Sequence, residues 1–166
     1  MKKLILFAVF IGLSITAVAQ EDVTTYYLIR HAEKNRTDSS NRNPNLNTQG
    51  HKRAAHWATV FKTVSFDMIY STDYNRTKQT AQPTADAQNV KLFVYNPSNM
   101  YSESFKHNTT GKNVLIVGHS NTTAAFANKI LGEQKFKSIA DNNNSNLYII
   151  TVTKDSATGT LLNMTL

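Results

Sequence analysis

Apolar runs and amphipathic stretches alternate along the chain from Val23 onward. Short β-rich runs at 24–29, 66–70, 91–95, 113–117 and 147–153 predict five strands, of which 113–117 is the most hydrophobic. A sixth, short edge strand is expected at 160–166, after a turn at Ala157-Thr158-Gly159. Between these runs the apolar spacing becomes helical. One helix opens at 46–50 and carries Ala54, Trp57, Ala58 and Phe61 on one side. A second covers 75–87, with Pro83 arguing for a kink or an early end. A short one is expected within 99–108, and a last one at 122–131 has Gly132 as its C-cap. Polar stretches at 35–45 and 141–146 read as loops. Strands separated by helical patterns predict an α/β domain: three layers, a mostly parallel sheet, helices on both faces.

The first residues depart from this pattern. Lys2 and Lys3 precede an apolar stretch from Leu4 to Ile15, and Ala17-Val18-Ala19 supplies a small-residue cleavage pattern. Residues 1–19 are therefore expected to be a secretory signal and 20–166 a single domain. The stretch is shorter than the ~20 residues a membrane-spanning helix needs, and Gln20-Glu21-Asp22 follows at once, so no permanent membrane anchor is expected. Export, to a periplasmic or extracellular location, is the implied destination. The chain has no cysteine, which excludes disulfides, thiol chemistry and lipid attachment at cysteine. Its formal charge of +7 falls to +5 without Lys2 and Lys3 (7 − 2). The basic residues are scattered and no aromatic residues interleave with them on a basic face, so nucleic acid is not an expected partner.

The chemistry concentrates where strands end. The first run closes on Arg30-His31, the fourth on Gly118-His119, and Arg76 follows the second. In an open parallel sheet such residues gather in one crevice beyond the strands' carboxyl ends. Two guanidiniums suit the oxygens of a phosphoryl group, which they bind bidentately while staying charged. The N-terminus of the helix near Asn75 is expected to add backbone donors. One imidazole, kept neutral by the neighbouring arginines, would attack phosphorus. The other would stabilise the charge in transit. His51, His56 and His107 lack the spacing of a metal site, so neither metal nor cofactor is expected. Each of these residues alone has an ordinary structural reading; their joint placement beyond strand ends carries the inference.

Four blocks resemble the histidine phosphatase superfamily, the phosphoglycerate-mutase-like fold. Tyr27-Leu28-Ile29-Arg30-His31-Ala32-Glu33-Lys34 is similar to its Arg-His-Gly signature, with Ala32 for glycine. Leu46 to Ala54 resembles its Leu-Thr-x-x-Gly-x-x-Gln/Arg-Ala helix opening, and Ser71 to Ala81 its Ser-x-x-x-Arg-x-x-Gln-Thr-Ala block. Val117-Gly118-His119-Ser120-Asn121-Thr122 is similar to the second-histidine block. The resemblance implies His31 as the phosphorylated nucleophile and Arg30, Arg76 and His119 as the phosphate pocket, without a metal.

The departure concerns the proton donor. Many members carry a carboxylate just after the third strand, where this chain reads Val94-Tyr95-Asn96-Pro97. Glu103 and Glu33 are the remaining carboxylate candidates for that role, and Asn96 and Asn121 are candidate substrate-binding residues. The chain lacks the large insertions of mutases and resembles the compact branch that includes bacterial phosphohistidine phosphatases. The expected activity is a phosphatase acting on a small phosphorylated substrate, a phosphoprotein or a phosphorylated glycan. A mutase-type phosphotransferase or a non-catalytic phosphate-binding module are the alternatives.

Overall fold

A computed structural model describes residues 22–166, so the expected signal segment lies outside the described residues. In chain order the elements are β1 (Thr24–Arg30), α1 (Thr48–Val60), β2 (Met68–Ser71), α2 (Asn75–Gln88), β3 (Leu92–Val94), α3 (Glu103–Thr109), β4 (Asn113–Gly118), α4 (Thr122–Leu131), β5 (Asn146–Val152) and β6 (Ala157–Asn163). The six strands form one sheet in the order β3-β2-β4-β1-β5-β6. Neighbours among β3, β2, β4 and β1 pair in parallel.

Alternation of side chains along β1 and β4 explains why their central stretches, 26–29 and 114–117, are apolar or aromatic at every position. Tyr26, Leu28, Val114 and Ile116 point to one face, where Phe126 and Ile130 of α4 and Phe105 of α3 cover them. Ile29, Leu115 and Val117 point to the other, against Trp57 of α1, Phe61 at its C-cap, and Ala81 and Ala85 of α2. A strand buried on both faces has no polar side to show. Three layers result, with the central sheet dry.

The two last strands run the other way. β5 pairs antiparallel with β1, and β6 antiparallel with β5. The connection 153–156 is a tight turn closed by the Thr153 amide on the Ser156 carbonyl (2.8 Å), too short for the crossover a parallel pair needs. Reversal has a functional consequence. Leu147 at the start of β5 lies opposite Ile29 near the end of β1, so the loop leading into β5 falls beside His31.

Three local expectations are corrected. Ala157-Thr158-Gly159 is strand rather than turn. A Cβ on Gly159 would lie 2.9 Å from Ile150 Cδ1, so the glycine serves close packing there. The α2 helix runs through Pro83 to Gln88 without ending. Burial of Thr77, Thr80, Ala81, Thr84 and Ala85 outweighs the ~3 kcal/mol that an interior proline costs. The helix expected within 99–108 starts only at Glu103, because a 3₁₀ turn at Pro97–Asn99 and a left-handed Tyr101 (φ 56°) interrupt it. Among the described residues no helix is long and apolar enough to cross a membrane.

Candidate active site

Strand register assembles the site. Arg30 lies opposite Gly118 and Ser71 opposite Val117, so His31 and His119 emerge side by side, with Thr72 one residue lower on the neighbouring strand. The His31 amide continues the ladder onto the Gly118 carbonyl at 2.9 Å. The two imidazoles end up edge to face with ring centres 5.5 Å apart. Arg76, one residue into α2, reaches His119 Nδ1 at 3.4 Å and lies over the Tyr74 ring at 4.5 Å. Arg30, His31, Arg76 and His119 line one cavity of about 390 Å³, together with Lys34 and Asp141.

Hydrogen bonding decides both tautomers. His31 Nδ1 lies 2.7 Å from the Ala32 carbonyl, which can only accept. The ring proton therefore resides on Nδ1, and Nε2 is bare. For His119 the logic is inverted: guanidinium can only donate, so Nδ1 accepts from Arg76 and the proton sits on Nε2, 2.9 Å from Thr72 Oγ1. That hydroxyl passes its own proton to Thr77 Oγ1 at 3.0 Å, and Thr77 donates to the Thr72 carbonyl at 2.9 Å. Both rings are held neutral. His31 is drawn from 6.5 to about 3, first by burial and then by Arg30, Arg76 and His119, against the Ala32 bond. His119 is drawn to about 4, again first by burial and then by Arg76, Arg30 and Lys34. The sequence reading credited the arginines with this effect; desolvation leads it.

The guanidiniums are fixed but not saturated. Arg30 is 3% exposed, and its Nη1 donates to the carbonyls of Ala140, Asp141 and Asn143 at 2.8–3.0 Å. Its Nη2 meets Asp141 Oδ1 at 2.8 Å. The Nε atoms of Arg30 and Arg76 are both buried without an acceptor. Buried donors are nearly always paired, so two such N–H groups on residues lining one cavity describe a place for an anion.

Supporting contacts give the sequence blocks their physical content. Thr80 Oγ1 accepts from the Ala32 amide at 2.9 Å and donates to the Arg76 carbonyl at 2.7 Å, tying the residue next to His31 to α2. Gln79 Oε1 accepts from the Leu46 amide at 2.8 Å. Asn47 caps α1 by accepting from the Gly50 amide, and Arg53 clasps Glu33 through Nε and Nη2 at 2.8–3.0 Å. Gly50 is required because any Cβ there would collide with the Glu33 carbonyl oxygen. Asn144 Nδ2 holds the His31 carbonyl at 2.7 Å from the loop before β5.

Other expected residues are placed differently. Asn121 lines the cavity. Asn96 does not; its side chain accepts from the Ser98 amide, and Pro97 takes the position in the cavity wall. Glu103 lies outside it, exposed and paired with Lys106 at 2.7 Å. Glu33 is committed to Arg53. The Asn75 amide at the start of α2 is taken by Asn43 Oδ1 at 2.8 Å and is no free anion donor. Sequence reasoning missed Lys34, Tyr74 and Asp141 of the cavity, and Thr72, Thr80 and Asn144 behind it. Tyr74 and Thr80 stood inside a recognised block, whereas Asp141 and Asn144 lay in a polar loop without periodic signal. Among the described residues no three His, Asp or Glu side chains converge on a metal-sized site.

The family model described as histidine phosphatase superfamily (branch 1) matches residues 26–96, which include Arg30, His31 and Arg76. The fold agrees. The protein histidine phosphatase SixA, solved with tungstate, superposes with a TM-score of 0.67 at 14% identity, covering 84% of this chain and 96% of its own. The fold is shared with this phosphatase, and the superfamily model matches the first part of this chain, residues 26–96. A SixA-type structure from Agrobacterium tumefaciens, classed as a phosphohistidine phosphatase, gives 0.60 at 22% identity, with 84% and 97% covered. A mycobacterial glucosyl-3-phosphoglycerate phosphatase solved with VO3 gives 0.63 at 13% identity, with 86% and 100% covered. No curated protein sequence matches significantly. The chain thus spans nearly the whole of these structures, and its His31–His119 cavity lies beyond the carboxyl ends of its own parallel strands β1 and β4.

Proposed function

We propose that this chain is an exported phosphatase that hydrolyses a phosphomonoester, or a phosphorylated protein or glycan, through a phosphohistidine on His31. The carrying observation is the bare Nε2 of a buried neutral imidazole, set in a cavity with two unpartnered guanidinium donors. Nε2 attacks phosphorus as the P–O bond breaks, and the leaving oxygen takes a proton from an acid in the cavity; water then attacks phosphorus, giving one proton back to that group as the P–N bond breaks to phosphate and the free imidazole. Arg30 and Arg76 hold phosphoryl oxygens, and positive charge fixed in place before reaction costs no reorganisation during it. His119 meets the developing charge on the opposite side. A dianion there raises its proton affinity, so a proton can arrive at Nδ1 with the substrate.

A larger polar cavity of about 1010 Å³ adjoins this one and shares His31, Lys34 and Asp141 with it. Its size and its asparagine and threonine lining suit a hydrophilic leaving group, small or carried on a protein side chain. Export rests on the Leu4–Ile15 stretch and Ala17-Val18-Ala19.

The test is direct. The chain without residues 1–19 is incubated with a chromogenic aryl phosphate, with and without chelator. Hydrolysis insensitive to chelator, and abolished by His31→Ala, is expected. An acid-labile, base-stable phosphoenzyme seen in the wild type and lost in that variant would identify the intermediate. Vanadate binding without turnover would instead mark a phosphate-binding module.

A further inference from the structure

Asp141 answers the question the expected proton donors leave open. It is the one carboxylate among the residues lining the His31–His119 cavity, and it lines the larger cavity as well. A leaving group seated in the larger cavity while its phosphoryl group occupies the smaller must therefore pass this side chain. Asp141 reaches the position because β5 is antiparallel to β1, which brings the loop before β5 onto the Arg30 side chain. Its carboxylate bridges two arginines, Oδ1 to Arg30 Nη2 and Oδ2 to Arg36 Nη2, both at 2.8 Å, yet remains 71% exposed.

The bridge has an electrostatic consequence. Arg30 Nη1 is saturated by three carbonyls, so a phosphoryl group has only the edge carrying the unpartnered Nε and Nη2, where Asp141 already sits. Two anions then share one guanidinium, which favours a single proton between them. Arg30 first, and then Arg36, hold the Asp141 carboxyl below the ordinary range. A dianion drawing on Arg30, and on Arg76 and His119 across the cavity, removes that advantage.

Resting on the phosphatase reading above, we propose that Asp141 is the proton donor to the leaving group, charged with its proton when the phosphoryl dianion takes over Arg30. In the first step the His31 Nε2–P bond forms, the P–O bond breaks and the Asp141 proton passes to the leaving oxygen. In the second, the Asp141 carboxylate takes a proton from the attacking water as the P–N bond breaks, and that proton returns to solvent when phosphate leaves and Arg30 regains the carboxylate. Lys34 adds charge at the same junction and stays cationic through both steps.

The experiment compares Asp141→Asn with wild type on an alkyl and an aryl phosphomonoester, with thermal midpoints recorded to show that the variant is folded. General acid catalysis is worth about 10²–10⁴-fold, and an aryl oxide needs little of it. The variant should lose alkyl turnover by about 100-fold or more and aryl turnover by less than about tenfold. The basic limb of the wild-type pH profile on the alkyl ester should vanish with it. Equal losses on both esters, or tighter phosphate binding with an unchanged alkyl-to-aryl ratio, would make Asp141 a mere competitor for Arg30 and overturn the proposal. Wild-type protein inactive on both esters would overturn the phosphatase reading and this inference together, whereas aryl activity with no Asp141 effect removes only the latter.

Discussion

Each imidazole of the pair is oriented by a group that can play only one hydrogen-bonding part. The Ala32 carbonyl must accept, so His31 presents a bare Nε2; the Arg76 guanidinium must donate, so His119 holds its proton on Nε2, toward Thr72. His31 is also neutral far below the ordinary histidine range, since burial brings it to about 3. The acid limb of kcat/KM, which reports the free protein, should therefore lie near or below pH 4 rather than near 6.5, as read from a pH series on an aryl phosphate. A limb centred at 6.5 would mean His31 is solvated before substrate binds. Thr72 offers a finer check. Thr72→Val leaves the buried His119 N–H without an acceptor, a loss of roughly 1–3 kcal/mol that should lower kcat about tenfold or more. Thr72→Ser, which keeps the hydroxyl, should retain most of the activity.

The elements carry these side chains through contacts that only their packing explains. The amino end of α1 lies against the backbone just past His31, where the Asn47 amide donates to the Glu33 carbonyl at 2.9 Å and Gly50 leaves room for it. Gly50→Ala should cost roughly 1–3 kcal/mol from overpacking, seen as a lower thermal midpoint, and should depress turnover because the displaced segment begins two residues after His31. Glu103→Gln on α3 should change neither alkyl nor aryl turnover, since that side chain is exposed and bound to Lys106. The same contacts show which parts of the structure could be read in advance. The buried strands were legible because both faces of β1 and β4 must be apolar, and the Arg30, His31, Arg76 and His119 cluster because it sits at strand ends. What escaped depends on contacts distant in sequence. The direction of β5, the continuation of α2 past Pro83, and the arrival of Asp141 and Asn144 beside residues more than a hundred positions earlier are set by tertiary packing. Nothing in the loop at 141–146 distinguishes Asp141 from an ordinary turn aspartate until Arg30 is seen beneath it.

For the molecule as a whole, a site built to keep two imidazoles neutral is also a stability liability at low pH. In the unfolded chain each would bind a proton near its ordinary value of 6.5, whereas folded His31 and His119 resist until about 3 and about 4. Between those values the unfolded state holds more protons, so stability rises with pH across the window and levels off above 6.5. The cost on descending the window is on the order of a few kcal/mol per imidazole, a sizeable part of a typical domain's total. An anion in the cavity works the other way, since it binds the folded protein alone and adds about 2.7 kcal/mol at a hundred times its dissociation constant. Its negative charge also makes a protonated His119 tolerable, so phosphate should raise the thermal midpoint more at pH 5 than at pH 8 once its own ionisation is allowed for. The decisive comparison is His31→Gln/His119→Gln against wild type, with midpoints recorded from about pH 4 to pH 8 without phosphate. Glutamine fills much of the same space and does not titrate, so the double variant should show a much flatter profile below 6.5. If its midpoint falls as steeply as the wild type's, the acid sensitivity belongs to other groups. The two imidazoles would then be solvated and readily charged, and a neutral nucleophile held ready by burial would have no basis.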